Sequence, residues 1–218
     1  MLIEFKPISG AEALAFIMPR HYAGRKPCIS FAFGYFENDT LKAVCTFGKP
    51  ASDSLCRGVA GWELSNRVFE LNRLVTDGET GKPLSAFVGY CLRYLKPKNL
   101  IIVSYADTQM GHTGYIYQAT NWIYTGKTPE RTEKYVPNGK HSRHYQNTPQ
   151  TGIRKFRSAK HRYLFFTGNK YFVRLFKRAL LYPILPYPKT ENSRYTLGEF
   201  IKPILICPKS ETPENPLI

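Results

Sequence analysis

The chain has 218 residues, and its 31 Lys and Arg against 16 Asp and Glu leave a net charge of +15. An apolar share of 43% with 14% aromatics excludes a disordered chain and provides for one packed domain. So much positive charge repels itself in a compact state and points to a polyanionic partner. A membrane surface is the lesser candidate. No apolar run approaches the roughly 18 residues of a spanning helix, and the start MLIEFKPISGAEALAF carries neither a secretory nor a lipidation pattern, so a cytoplasmic protein that works on nucleic acid is expected. Cys28, Cys45, Cys56, Cys91 and Cys207 are odd in number, form no C-x-x-C and have no histidine at zinc-site spacing, which fits reduced thiols.

In chain order, AEALAFIM closed by Pro19 predicts a short helix within residues 1–20, followed by the Gly- and Pro-punctuated loop RHYAGRKP. CISFAFGYFE and LKAVCTFGKP predict a hairpin turning at residues 37–40. A loop to about Ala60 leads to the alternating strand RVFELNRLVTD. LSAFVGYCLRYLKP reads as a helix, with Ser85 as its cap and Pro97 just beyond it. NLIIVSYAD has the continuous apolar pattern of a strand buried on both faces. GHTGYIYQATNWIYTG reads as a short helix and a strand. The order ββ–β–α–β–α–β predicts a single α/β (α+β) domain with a mixed central sheet flanked by helices, spanning residues 1–190, with 191–218 as a C-terminal extension.

Beyond Thr128 the composition changes. Residues 131–178 hold 13 Lys or Arg and one acid, Glu133. Cations alternate there with Tyr145, Phe156, Tyr163, Phe165, Tyr171 and Phe172, a mixture suited to phosphates and to stacking on bases. Arg143, Arg154, Lys155, Arg157, Lys160 and Arg162 are the expected DNA contacts; the plainer reading makes the aromatics core and the charges a solvated rim.

Four places offer chemistry. His21 and Tyr22 put an imidazole and a phenol in one loop, although a lone histidine is usually structural. Arg73, on a strand, must be paired or bind an anion if buried; a salt bridge to Glu63 or Glu70 competes with a substrate role. SYADTQMGHTGYIYQA gathers Ser104, Asp107, His112, Tyr115 and Tyr117 beyond a buried strand, where open α/β sheets hold ligands. Asp107 and His112 with His21 would make a two-His, one-carboxylate metal set, though the spacing matches no established motif. TDGETGKP fails as a phosphate loop because Pro83 follows Lys82, and a plain turn is the better reading.

Together RHYAGRKP, FELNRLV, IIVSYADTQMGHTGYIYQATNWIYTG and KHRYLFF…LLYPILPYPK resemble the Mom proteins of bacteriophages, in order from about residue 12 to residue 189. The resemblance implies a fold related to the GNAT acyltransferases. It also implies conversion of adenine in double-stranded phage DNA to the N6-carbamoylmethyl (acetamido) base, which shields DNA from restriction. Family functional positions fall on His21, Tyr22, Arg73, Asp107 and Tyr117, with Tyr35 and Ser85 or Ser104 as further placements. Iron is an implied requirement, with His21 and Asp107 as ligands, and the two-carbon donor is an acyl-CoA or another carrier. The R-x-x-G-x-G/A loop that grips acyl-CoA is missing. Asp107 is expected to orient N6–H or to accept its proton, with His21 as a second acid/base or metal ligand. The competing readings are a non-catalytic DNA-binding protein and a GNAT acyltransferase acting on protein or tRNA; convergence of His21, Arg73 and Asp107 on one cleft separates enzyme from binder.

Overall fold

A computed structural model describes residues 2–79, 83–136, 152–189, 198 and 202–206. The first strand, β1 (Ile3–Pro7), precedes helix α1 (Gly10–Ile17), which starts where Ser9 Oγ accepts the Glu12 N–H at 3.1 Å. Strands β2 (Phe31–Glu37) and β3 (Thr40–Gly48) form the expected hairpin. Its turn residues Asn38 and Asp39 both have positive φ, as a two-residue hairpin turn requires.

Helix α2 (Asp53–Leu64) occupies the stretch expected to be a loop. Gly58 and Gly61 interrupt its apolar pattern, and the helix kinks at Ala60–Gly61, where Gly61 takes φ +76°. It forms because Ser52 caps it and because Cys56, Val59 and Ala60 bury against the sheet. Next come β4 (Val68–Thr76), α3 (Leu84–Tyr94), β5 (Ile101–Asp107), α4 (Tyr115–Ala119) and β6 (Ile123–Lys127). Ser85 does not cap α3: Pro83 holds the cap position without a side-chain bond, and Ser85 lies in the first turn.

The basic stretch is part of the body. Strands β7 (Arg131–Lys134), β8 (Arg154–Arg157) and β10 (Leu205–Ile206) make a small antiparallel sheet in the order β10-β8-β7. Strand β9 (Lys160–Phe166) lies between β5 and β6, and helix α5 (Lys170–Ala179) follows it. The main sheet runs β1-β2-β3-β4-β5-β9-β6, antiparallel except for β4 with β5.

The fold is thus mixed α/β, with helices on both faces of the sheet. One face carries α3 and α4 over Phe33, Cys45, Leu71, Ile102 and Tyr163. The opposite face carries α1 over Ala32, Val44 and Val75, and α2 and α5 over Val68, Ile101, Val103 and Leu164. Strand alternation therefore directs Glu70, Tyr105, Asp107, Lys160 and Arg162 to the α2/α5 face, and Ser104 and His161 to the other.

Candidate active site

Strands β4 and β5 pair only at Val68–Ile101, Phe69–Ile102 and Glu70–Val103, although both continue further. Strand β5 meanwhile stays paired with β9 as far as Asp107–Lys160. The sheet therefore opens between β4 and β5. Beyond Glu70, the pairing of β4 with β3 slips so that Asn72 is the extra residue, a bulge that bends the strand and re-aims the side chains after it. The Leu71 carbonyl lies in the opening and accepts instead from Ser104 Oγ at 2.8 Å, which in turn is 2.7 Å from the buried Tyr117 hydroxyl. Ser104 and Tyr117 thus brace the back wall, and burial raises the Tyr117 phenol far above its ordinary pKa.

The loop after α1 is pinned over this opening. Asn72 Nδ2 donates to the Cys28 carbonyl at 2.7 Å, and Asn72 Oδ1 accepts from Thr46 Oγ1 at 2.7 Å. Gly48 packs so close to the Cys28 carbonyl that a Cβ there would lie 1.8 Å from its oxygen, so only glycine fits. Arg73 completes the clamp, with Nη2 donating to the Arg25 carbonyl at 3.1 Å and Nη1 to the Asn72 carbonyl at 2.6 Å. His21, tied by its N–H to Ile17 at 2.9 Å, is buried and stacked on Tyr22 at 4.3 Å between ring centres. Tyr22 in turn meets His112 edge-on at 6.3 Å.

Burial, reinforced by the positive fields of Arg73, His112 and Lys160, pushes the His21 pKa down to about 3. The imidazole is therefore neutral at pH 7. Its Nδ1 accepts the Ala23 N–H at 3.1 Å, so its proton is assigned to Nε2.

Two groups at the opening have unused bonding capacity. Arg73 is deeply enclosed, and its Nε–H has no hydrogen-bond partner among the described residues. It makes no salt bridge to Glu63 or Glu70. The Glu70 carboxylate, on the last residue paired to β5, makes neither a hydrogen bond nor an ion pair among the described residues, and desolvation raises its pKa despite the fields of Arg73 and Lys160. From the sequence, Glu70 is expected only as a salt-bridge partner for Arg73. The bulge and the loss of pairing that expose it depend on long-range register, which no local pattern carries.

Asp107 is committed elsewhere. Its carboxylate ion-pairs with Lys160 Nζ, accepts from Ser158 Oγ and caps the following turn by accepting the Gln109 N–H at 3.1 Å. Burial alone would raise its pKa, but Lys160, Ser158 and the Gln109 N–H together hold it below the usual value. Those contacts compete with the proton-accepting role expected for Asp107 from the sequence. The implied iron fits no better. The oxygens of Asp107 already take three donors, Nδ1 of His21 is in use, and no group of three His, Cys, Asp or Glu side chains able to hold a metal occurs among the described residues. Arg73 nonetheless lies within electrostatic reach of His21, Tyr22 and Glu70, and Lys160, the partner of Asp107, within reach of His21 and Glu70. Tyr35 lies on β2 in the core, its hydroxyl on Glu37 and its pKa pushed up to about 12 by burial and that bond.

The cations expected to contact DNA are largely occupied within the protein. Arg154 bonds Thr132 through Nε at 2.6 Å and Nη2 at 3.1 Å, and Arg157 Nη1 is 3.0 Å from both oxygens of Glu133. Lys155 is partly buried, its pKa lowered first by burial and then by Arg25. Arg162 bonds Thr125 Oγ1 at 2.9 Å and its carbonyl at 3.0 Å, and its guanidinium lies 3.3 Å from the centre of the Tyr182 ring. Arg143 lies outside the described residues.

The sequence model of the Mom protein family matches residues 2–189. The chain belongs to the Mom protein family. A search of curated protein sequences gives no match to this Mom-family chain. Solved structures similar to it include an N-acetyltransferase from Staphylococcus aureus Mu50, at 14% identity and TM-score 0.49 over 76% of this chain and 99% of that one. Another is a putative acetyltransferase of Acinetobacter baylyi ADP1, at 11% identity and TM-score 0.48 over 76% and 93%. A third is yncA, a putative acetyltransferase from Salmonella typhimurium with its cofactor acetyl-CoA, at 9% identity and TM-score 0.47 over 76% and 94%. The α/β assignment of this Mom-family chain rests on its strand order rather than on these likenesses. No helix among the described residues is long and apolar enough to cross a membrane.

Proposed function

We propose that this protein is a transferase that modifies adenine at N6 in double-stranded DNA, adding the carbamoylmethyl unit that the Mom resemblance implies. Family membership supports the reaction class. The observation that carries the reading at this site is the pair Glu70 and Arg73: two enclosed, oppositely charged groups at one opening, not bonded to each other and each with capacity to spare. Leaving such groups unpaired costs stability, and a bound substrate would offset that cost.

The N6 amino group is hydrogen-bonded inside a base pair, so the adenine must leave the stack to reach the opening, at a cost of a few kcal/mol. Tyr22 and His21, stacked on each other, would meet the extruded base. Glu70, its basicity raised by desolvation, takes the N6 proton as the bond from N6 to the donor's methylene carbon forms and the bond from that carbon to its carrier breaks, the carrier leaving with the electron pair. The Arg73 Nε–H meets the anionic part of the donor or the negative charge that develops on it. The donor is a carrier that releases a two-carbon carbamoylmethyl unit; simple acyl transfer from an acyl-CoA would leave an N6-acyl group instead. Asp107 and Lys160 serve as a fixed strut beside the opening rather than as acid and base.

Mass spectrometry of nucleosides from DNA of expressing cells tests the reading. A modified deoxyadenosine is expected with the wild-type protein, and Glu70→Gln lowers its yield about 100-fold while the purified variant still binds duplex. Soluble wild-type protein that leaves adenine unmodified sinks the reading. A fully active Glu70→Gln removes Glu70 from the mechanism.

A further inference from the structure

The cations of the basic stretch divide into two populations. Arg154, Arg157, Lys160 and Arg162 of β8 and β9 are engaged within the protein, and Lys155 is half-buried. Those of α5 are not: Lys170, Arg174, Lys177 and Arg178 are exposed and make no ion pair among the described residues, and the helix KYFVRLFKRA contains no acid. At about 100° per residue these four positions fall within roughly a third of the helix circumference, with the exposed Tyr171 at the margin.

The arrangement opposes helix stability. Lys170–Arg174 and Arg174–Arg178 are like-charge pairs four residues apart, and Lys170 sits in the first turn, where the helix dipole disfavours a cation. An external anion relieves all three. The opposite side of α5 is already used, because Phe172, Val173 and Phe176 pack with Val68, Ile101, Val103, Leu164 and Phe166. A basic helix that binds a bilayer must insert its apolar face, and this one has none to give. A polyanion needs only the charges. Helix α5 also covers the sheet face to which Glu70 and Tyr105 point, so a substrate that reaches the opening from that side passes it.

We propose that the outer face of α5, through Lys170, Arg174, Lys177 and Arg178, is the track that grips the phosphate backbone of double-stranded DNA and presents the duplex to the opening beside Glu70. The four cations span about 12 Å along the helix, enough to face several phosphates. The proposal rests on the reading of DNA as substrate and replaces β8 and β9 as the gripping surface.

Fluorescence anisotropy with a labelled duplex, read across a salt series, tests it. Arg174→Ala/Lys177→Ala/Arg178→Ala should weaken binding at least 10-fold at moderate salt and flatten the plot of log affinity against log salt by about 2 to 3 units, some 0.9 for each phosphate no longer neutralised. Its thermal midpoint should stay close to wild type, since the side chains are exposed, and Arg174→Lys/Arg178→Lys should restore most of the affinity. If the triple variant binds and modifies duplex like a fully active wild type, the interface is wrong and the reaction assignment stands. If wild type binds anionic phosphatidylserine vesicles through these residues while duplex affinity ignores them, the partner is a membrane and the proposal falls. A wild type that neither binds duplex nor modifies adenine removes the proposal together with the substrate reading beneath it.

Discussion

Strands β8 and β9 and helix α5 hold cations at similar density, yet use them in opposite ways. On the strands, four of the five charged heads reach a protein acceptor or partner: Arg154 to Thr132, Arg157 to Glu133, Lys160 to Asp107, Arg162 to Thr125 and Tyr182. On α5 the charged heads face water, and the helix is held by its apolar side alone. Extended strands inside a body are flanked by neighbours that supply carbonyls and carboxylates, whereas a surface helix has one flank without any. A run of Lys and Arg in a sequence thus announces charge but not its destination. Burial decides that.

Three changes would break or sharpen the contrast. The largest effect should come from the inner side of α5. Phe176 is 1% exposed, and Phe176→Ala should cost about 3–5 kcal/mol by urea denaturation. A loss below about 1 kcal/mol would mean that α5 is not anchored through that face. On the strands, Lys160→Met leaves Asp107 buried without its ammonium and should cost about 3 kcal/mol at pH 7, somewhat less if water reaches the carboxylate past the quarter-exposed lysine. The penalty should shrink as pH falls, beginning above the ordinary carboxylate value of about 3.9, because burial without the ammonium raises the Asp107 pKa and protonation removes the orphaned charge. A stability equal to wild type at pH 7 would make Lys160 a solvated cation like those of α5.

The smallest effect concerns the field that the strand cations exert on the site. With a folded pKa of about 3 against about 6.5 unfolded, His21 is neutral in the native state and takes up a proton on unfolding throughout that interval. Stability from this residue is complete above about pH 6.5 and falls as pH drops towards 3. Moving from pH 7 to pH 5 should therefore cost about 2 kcal/mol through His21. His21→Asn should lose that part of the pH dependence, and identical acid profiles for the two proteins would show that His21 is not held neutral.

The hairpin, β4, α3, β5, α4 and β6 were legible because each keeps its apolar period within one segment and ends at a turn residue. Helix α2 was not, since its glycines disguise a helix that forms only against the sheet. Nor was β9: KHRYLFF looks cationic, although His161, Tyr163, Leu164 and Phe166 are buried and the Arg162 stem lies along Tyr182. Within the site, His21 and Arg73 stood out as unusual residue types in suggestive places. Asp107 stood out equally, but its engagement did not show, because its partner Lys160 lies 53 residues away on a strand that the pattern concealed. Glu70 looked like one more strand carboxylate until the divergence of β4 from β5 placed it at the edge of the opening.

The position of β9 governs how the molecule can assemble. Strands β5 and β6 are neighbours in sequence, but in the sheet they touch only through β9, which is made some 30 residues later than β6. Closing such a loop costs chain entropy before any pairing offsets it, and folds with pairings this remote form slowly. On a ribosome the hairpin and α1 can gather early, while the middle of the sheet stays unpaired along β5 until residue 166 emerges. The strut between Asp107 and Lys160, and with it the walls around Glu70, is completed only then. A chain stopped before β9 has the residues of the opening but no enclosure to set their charges against one another.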